Sequence, residues 1–293
     1  MNTPTTIEEQ LNIFKQKLNK YIPEIYSLSE IKDSMLKKKI NAVKERYNQL
    51  IKIEVTNTNY RPHCIYDLLV LAENDPNPKN RYASFLIHIE TIVKEIKELI
   101  DSSLMPKVKD AIVQMMLAVD KKIGTNFQYL NFYGELLGTH FILKKGFNLI
   151  DIEKELPNGK TVDFVFNSKD DNTPLYMDFI SYHNIDPSRY KTEEKFESFL
   201  RKKFEEKIIA KTVNLKSRDQ FLEIDNKEIP FMLLPIIWGD PDVFLTFRNL
   251  INRLDDSMLN VAPMATLLIE KDNHGNMHYS FTTLSNVLER LEK

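Results

Sequence analysis

The sequence predicts a mixed α/β (α+β) protein in two parts, a helical bundle over residues 1–124 and an α/β domain over 125–293. Three observations lead there. Apolar residues recur at steps of three and four through the first 120 or so positions. Short runs rich in β-branched and aromatic residues, bounded by turn residues, begin near Phe147. The run Ile229–Ile237 is nearly all apolar, as expected of a central strand covered on both faces.

Composition narrows the classes. A chain of 293 residues, 42% hydrophobic and 28% charged, can bury a substantial core. A net charge of −2 argues against a uniformly basic nucleic-acid binder but allows a local basic strip. Cys64 is the single cysteine, so neither an internal disulfide nor a multi-cysteine metal centre is available. No apolar run approaches the roughly 20 residues that span a bilayer, and the opening MNTPTTIEEQ lacks a basic stretch leading into an apolar one; the expectation is a cytoplasmic protein without a membrane partner.

The N-terminal elements follow from local signals. Thr6 and Glu9 form a capping-box pattern ahead of Ile7, Leu11, Phe14 and Leu18. Leu36, Ile40, Val43, Tyr47 and Leu50 predict a second helix from about Ser29 to Ile53, broken by TNTNYRP. A short helix is expected from Ile65 to Ala72, then the turn ENDPNPKN, then a long helix carrying Tyr82, Phe85, Ile89, Ile92 and Ile96. Pro106 suits the first turn of another, with Val108, Ile112 and Met115 along one side and Gly124 at its end. The heptad-like steps last only about two heptads, which fits packing within the chain; a dimer or protein partner through these helices stays open. Lys37, Lys38 and Lys39 read as a solvated helix face.

From Asn126 the pattern changes. A helix apolar almost all round ends at Lys144, Lys145 and Gly146 and carries one acid, Glu135. Strands follow at Phe147–Ile152, Thr161–Phe166 and Leu175–Ile180, separated by the turns Pro157–Gly159 and Ser168–Thr173. A polar loop over residues 183–190 leads to a helix with Phe196, Phe199, Leu200, Phe204 and Ile208 on one side, then the Ile229–Ile237 strand. A helix over Val243–Leu254, a hairpin from Met264–Ile269 and His278–Thr282, and a closing helix complete the chain. Two strands carry an aspartate inside: Asp163 between Val162 and Phe164, and Asp178 between Met177 and Phe179. Aspartate is a poor strand former and is expensive to bury unpaired, so a cation or basic side chain is expected to meet these acids.

In this combination residues 126–237 resemble the PD-(D/E)XK nuclease superfamily. The resemblance rests on a helix bearing Glu135, the strand GFNLIDIEKE, the segment NGKTVDF with Asp163 as motif aspartate, and LYMDFIS with Asp178 as second motif acid. It implies a restriction-endonuclease-like αβββαβ core with a C-terminal hairpin added. It further implies that Glu135, Asp163, Asp178 and the carbonyl of Phe179 gather Mg²⁺ or Mn²⁺ for hydrolysis of phosphodiesters in DNA or RNA, in a defence or mobile-element setting. Mg²⁺ suits such a site because it takes a few carboxylates, keeps several waters and accepts phosphate oxygens.

The family expects a lysine two positions after the second acid, and this chain has Ile180. Lys203 is the candidate replacement, with Lys207 behind it, because both fall within the apolar stripe of their helix; snorkelling at the stripe edge is the alternative. Lys144, Lys145, Lys160, Arg201 and Lys202 are candidates to hold a phosphate backbone. His140 and His183 are weaker site candidates, and no phosphate-binding glycine loop or nucleophile elbow occurs. The second functional expectation is a catalytically inactive nuclease-fold protein that binds nucleic acid or protein.

Overall fold

The computed structural model describes residues 6–43, 62–75, 77, 80–118, 127–156, 159–170, 172–182, 192, 194–199, 201–202, 206, 221–224, 227–238, 265–272 and 277–291. The chain divides into two compact units. Residues 1–98, 105–136 and 269–279 make the first; 99–104, 137–268 and 280–293 make the second. No helix among the described residues is long and apolar enough to cross a membrane.

In the first unit, α1 (Ile7–Tyr21) starts at the expected capping box. Thr6 Oγ1 accepts from the Glu9 N–H at 3.2 Å, and the Glu9 carboxylate accepts from the Thr6 N–H at 3.0 Å. Leu11, Phe14 and Leu18 are buried along one face, as their spacing requires. Pro23 then opens α2 (Pro23–Ser29), which lacks a local cap. Its first amides are met from far along the chain: Glu90, only 6% exposed, accepts from Glu24 N–H at 2.7 Å and Ile25 N–H at 3.1 Å.

The helix expected from Ser29 to Ile53 begins differently. Glu30 takes a left-handed conformation (φ +46°) and ends α2, and α3 covers residues 33–43 with Leu36, Ile40 and Val43 buried; residues 44–53 lie outside the described ones. The expected solvated lysine face is also corrected. Lys38 is exposed and Lys37 pairs with Glu8, but Lys39 is only 3% exposed. Its Nζ donates to the carbonyls of Met116 and Ala118, the latter at 2.9 Å, at the C-terminal end of α6 (Met105–Leu117). Helix C-termini leave carbonyls without intrahelical partners and carry partial negative charge, so a buried ammonium is favourable there.

Between these lie α4 (Ile65–Asn74) and α5 (Arg81–Leu99). Asn80 caps α5, its Oδ1 accepting from Tyr82 N–H at 3.0 Å and Ala83 N–H at 2.9 Å. Asp67, fully buried, accepts from the His63 N–H at 3.0 Å.

The strands begin after α7 (Gln128–Lys144). Gly146, at φ +92°, takes the left-handed turn that leads into β1 (Phe147–Glu155). The others are β2 (Thr161–Ser168), β3 (Pro174–Tyr182), β4 (Phe221–Ile224), β5 (Lys227–Ile237), β6 (Ala265–Lys271) and β7 (Met277–Thr283). They make one mixed sheet in the order β1-β2-β3-β5-β6-β7, with β4 paired to β5. β1, β2 and β3 form an antiparallel meander; β3 with β5, and β5 with β6, are parallel. The parallel return from β3 to β5 contains the helical residues 194–199, 201 and 202, which we call α8. The central position expected of the Ile229–Ile237 run is observed.

β4 was not expected; it is a short strand whose Leu222, Glu223 and Ile224 pair in backbone register with Ile229, Glu228 and Lys227. The helix expected over 243–254 lies outside the described residues. α9 (Leu284–Leu291) closes the chain with Leu284, Val287 and Leu288 buried.

Candidate carboxylate site

Asp163 and Asp178 come together on neighbouring strands. The β2/β3 ladder pairs Asn167 with Pro174, Phe166 with Leu175, Val165 with Tyr176 and Phe164 with Met177. The next step of that register sets Asp163 opposite Asp178. There the backbone pairing gives way to a side chain: the Asp163 N–H donates to Asp178 Oδ1 at 2.9 Å. Asp178 is fully buried and Asp163 half-buried, so the pair spans from core towards solvent at the point where the two strands part.

The faces of β3 are distinguished by alternation. Tyr176 belongs to an apolar cluster with Leu156, Val162, Val165, Phe231 and Leu233, and Ile180 packs against it. Asp178 lies between Tyr176 and Ile180 in this series. Phe179 projects the other way, its ring 4.8 Å from that of Phe164 and 6.5 Å from that of Phe166. Gly138 of α7 lies on that opposite side: a Cβ built there would come within 2.6 Å of the Phe179 ring. Two positions beyond Ile180, burial first and then the charge of Glu206 push the Tyr182 hydroxyl well above its ordinary value, so the phenol stays protonated and neutral at physiological pH.

The remaining candidates are distributed as follows. Glu135 is half-buried on α7 and belongs to the first unit, whereas Asp163 and Asp178 belong to the second. Among the described residues no three His, Cys, Asp or Glu side chains form a group able to hold a metal ion. Two aspartates at opposed positions of neighbouring strands are a donor set that Mg²⁺ could use, since it takes few protein oxygens when water and phosphate supply the rest. Phe179 has no donor atom in its side chain, so its backbone carbonyl is the only ligand it could supply. Lys203, Lys207 and His183 lie outside the described residues, and His140 is half-buried on α7.

Of the basic candidates, Lys144 and Lys145 are exposed at the end of α7, with Lys145 Nζ 5.4 Å from the centroid of the Phe141 ring. Lys160 is half-buried, and its carbonyl accepts from the Leu156 N–H at 2.6 Å. Arg201 Nη2 lies 2.8 Å from Glu197 Oε1, and Lys202 Nζ lies 4.0 Å from Glu206 Oε1, so their charges are partly offset by these acids. Sequence reasoning missed Gly138, whose only signal is a glycine inside an otherwise apolar helix.

The chain matches no protein-family model, no curated protein and no solved structure.

Proposed function

We propose that this protein is a metal-dependent nuclease that hydrolyses phosphodiester bonds in DNA or RNA, with Asp163 and Asp178 as its central carboxylates. The observation that carries the reading is the facing of these two acids across β2 and β3, where the Asp163 N–H holds Asp178 Oδ1 at 2.9 Å. The order helix, three antiparallel strands, helix and, after the short β4, a parallel strand supports a restriction-endonuclease-like core. Asp163 and Asp178, with the Phe179 carbonyl, would hold Mg²⁺ or Mn²⁺; Glu135 enters as a ligand, and Lys203 as the basic group, on the sequence resemblance alone. Bound there, the ion supplies an activated water and charge neutralisation at the phosphate. Asp178, held by the Asp163 backbone N–H, would set the position of the ligand set, and Asp163 is the more exposed of the two acids. Lys144 and Lys145 would hold the nucleic-acid backbone without reading sequence.

The test is cleavage of plasmid DNA and of labelled single- and double-stranded DNA and RNA, with and without Mg²⁺ or Mn²⁺, by wild type, Asp163→Ala and Asp178→Asn. Ion-dependent cutting that disappears in both variants supports the reading; a wild type that cuts none of these substrates with either ion removes it.

A second reading, a catalytically inactive nuclease-fold protein that binds nucleic acid, is favoured by one observation. The position where the family carries lysine holds Ile180 packed against an apolar cluster beside the fully buried Asp178. Ion-independent binding that weakens steeply with salt, by ~0.9 log units per neutralised phosphate per log unit of salt on duplex DNA, together with no cutting, would support it.

A further inference from the structure

We propose that Gly138 is a positioning residue for the carboxylate pair: by letting α7 lie directly against the Phe179 ring, it fixes the strand position from which Asp178 reaches the Asp163 amide. This deepens the nuclease reading by adding to the site a residue that would touch neither ion nor substrate.

The closeness of the packing carries the argument. A Cβ at Gly138 would lie 2.6 Å from Phe179 Cδ1, 2.7 Å from Cε1 and 2.9 Å from Cγ. All three distances are well inside van der Waals contact, and they involve the root of the ring as well as its edge. The ring has little room to yield, because Phe179 is 6% exposed and Phe164 and Phe166 flank it. A ring held by a helix on one side and two aromatics beside it fixes the backbone at Phe179. Asp178 is the preceding residue and points to the other face, so its carboxylate inherits that constraint.

The consequence falls at the parting of the strands. Behind Asp163 the β2/β3 ladder is held by four backbone pairs, Phe164–Met177 to Asn167–Pro174. The Asp163–Asp178 link is one side-chain hydrogen bond at the open end. A methyl group at position 138 that shifts Phe179 by a fraction of an ångström therefore breaks this link before it breaks the ladder.

The experiment is residue-resolved hydrogen exchange on the full chain for wild type, Gly138→Ala, Phe179→Leu and the double variant, with cleavage assays in parallel. Gly138→Ala is expected to speed exchange of the Asp163 amide by about tenfold, the scale of one hydrogen bond, while the β2/β3 ladder amides keep their protection. Phe179→Leu in the Gly138→Ala background makes room for the methyl group and is expected to restore Asp163 protection. If Gly138→Ala does not fold, Phe179→Leu alone decides, since loosening the clamp should free the Asp163 amide selectively.

Unchanged Asp163 exchange in the single variants overturns the proposal. So does a uniform rise across the ladder, which would mean a merely structural glycine. If wild type cuts nucleic acid, Gly138→Ala should raise the Mg²⁺ concentration needed for half-maximal rate, and the double variant should lower it again. If wild type never cuts, the nuclease reading falls, while the exchange pattern still decides the role of Gly138.

Discussion

The amide of Asp163 holds the carboxylate of Asp178, at 2.9 Å, so the first residue supports the second through its backbone. The two acids can therefore be separated experimentally. Asp163→Ala keeps the N–H that Asp178 accepts from and removes a half-buried carboxylate. It should change unfolding free energy by less than about 1 kcal/mol in urea titration. Asp178→Ala removes a fully buried carboxylate and leaves the Asp163 amide without this acceptor, and should lose about 1–3 kcal/mol. Equal losses in the two variants would mean that the hydrogen bond is not what ties them.

Glu90 should behave as a cap supplied across the fold. Its two oxygens serve the Glu24 and Ile25 amides at the start of α2, which has no side-chain cap of its own. Glu90→Ala should destabilise by about 1–3 kcal/mol, and Glu90→Gln, which keeps one acceptor oxygen, by less. Thermal denaturation of the two variants checks the order.

The lysine run should split by burial. Lys39→Met strands the carbonyls of Met116 and Ala118 and should lose about 1.5–3 kcal/mol, as for a hydrogen bond to a charged donor. Lys37→Met removes a partly exposed pair with Glu8 and should change stability by about 0–1 kcal/mol. Urea titration of each variant against wild type gives the comparison.

Glu73 should contribute an acid-sensitive increment. Burial pushes its carboxyl up, but hydrogen bonds and charge attraction from Lys17 at 3.0 Å and Lys20 at 3.3 Å outweigh this and hold it below its ordinary value. A carboxyl lowered on folding adds stability that is complete above its unfolded pKa and is lost as pH falls through the folded one. Wild type should thus lose up to about 1 kcal/mol relative to Glu73→Gln as pH drops from 6 through the usual carboxylate range. Denaturant midpoints of both proteins across that range measure the difference. A gap that stays constant with pH would exclude this pair as the source.

The parts legible beforehand were those written in local spacing. Thr6 with Glu9, the Leu11–Phe14–Leu18 stripe, the Gly146 turn and the apolar β5 run each announce an element through neighbours within a few positions, and each is where expected. Asp163 and Asp178 stood out because an aspartate inside a strand conflicts with its surroundings, and that conflict can be seen without knowing the partner. β4 was missed because four residues paired to one edge of β5 carry too little periodicity to register.

The amino-acid order by itself marks the longer helices and strands and the residues out of keeping with them, since those show as patterns between neighbours two to four residues apart. Packing alone settles that Glu90 caps α2 from 65 positions away, that Lys39 ends α6 and not a solvent face, that Gly138 meets Phe179, and that the Asp163 amide finds Asp178 Oδ1. Each of these joins groups far apart in the chain, and their meeting is set by how whole helices and strands seat on one another, which no local pattern encodes.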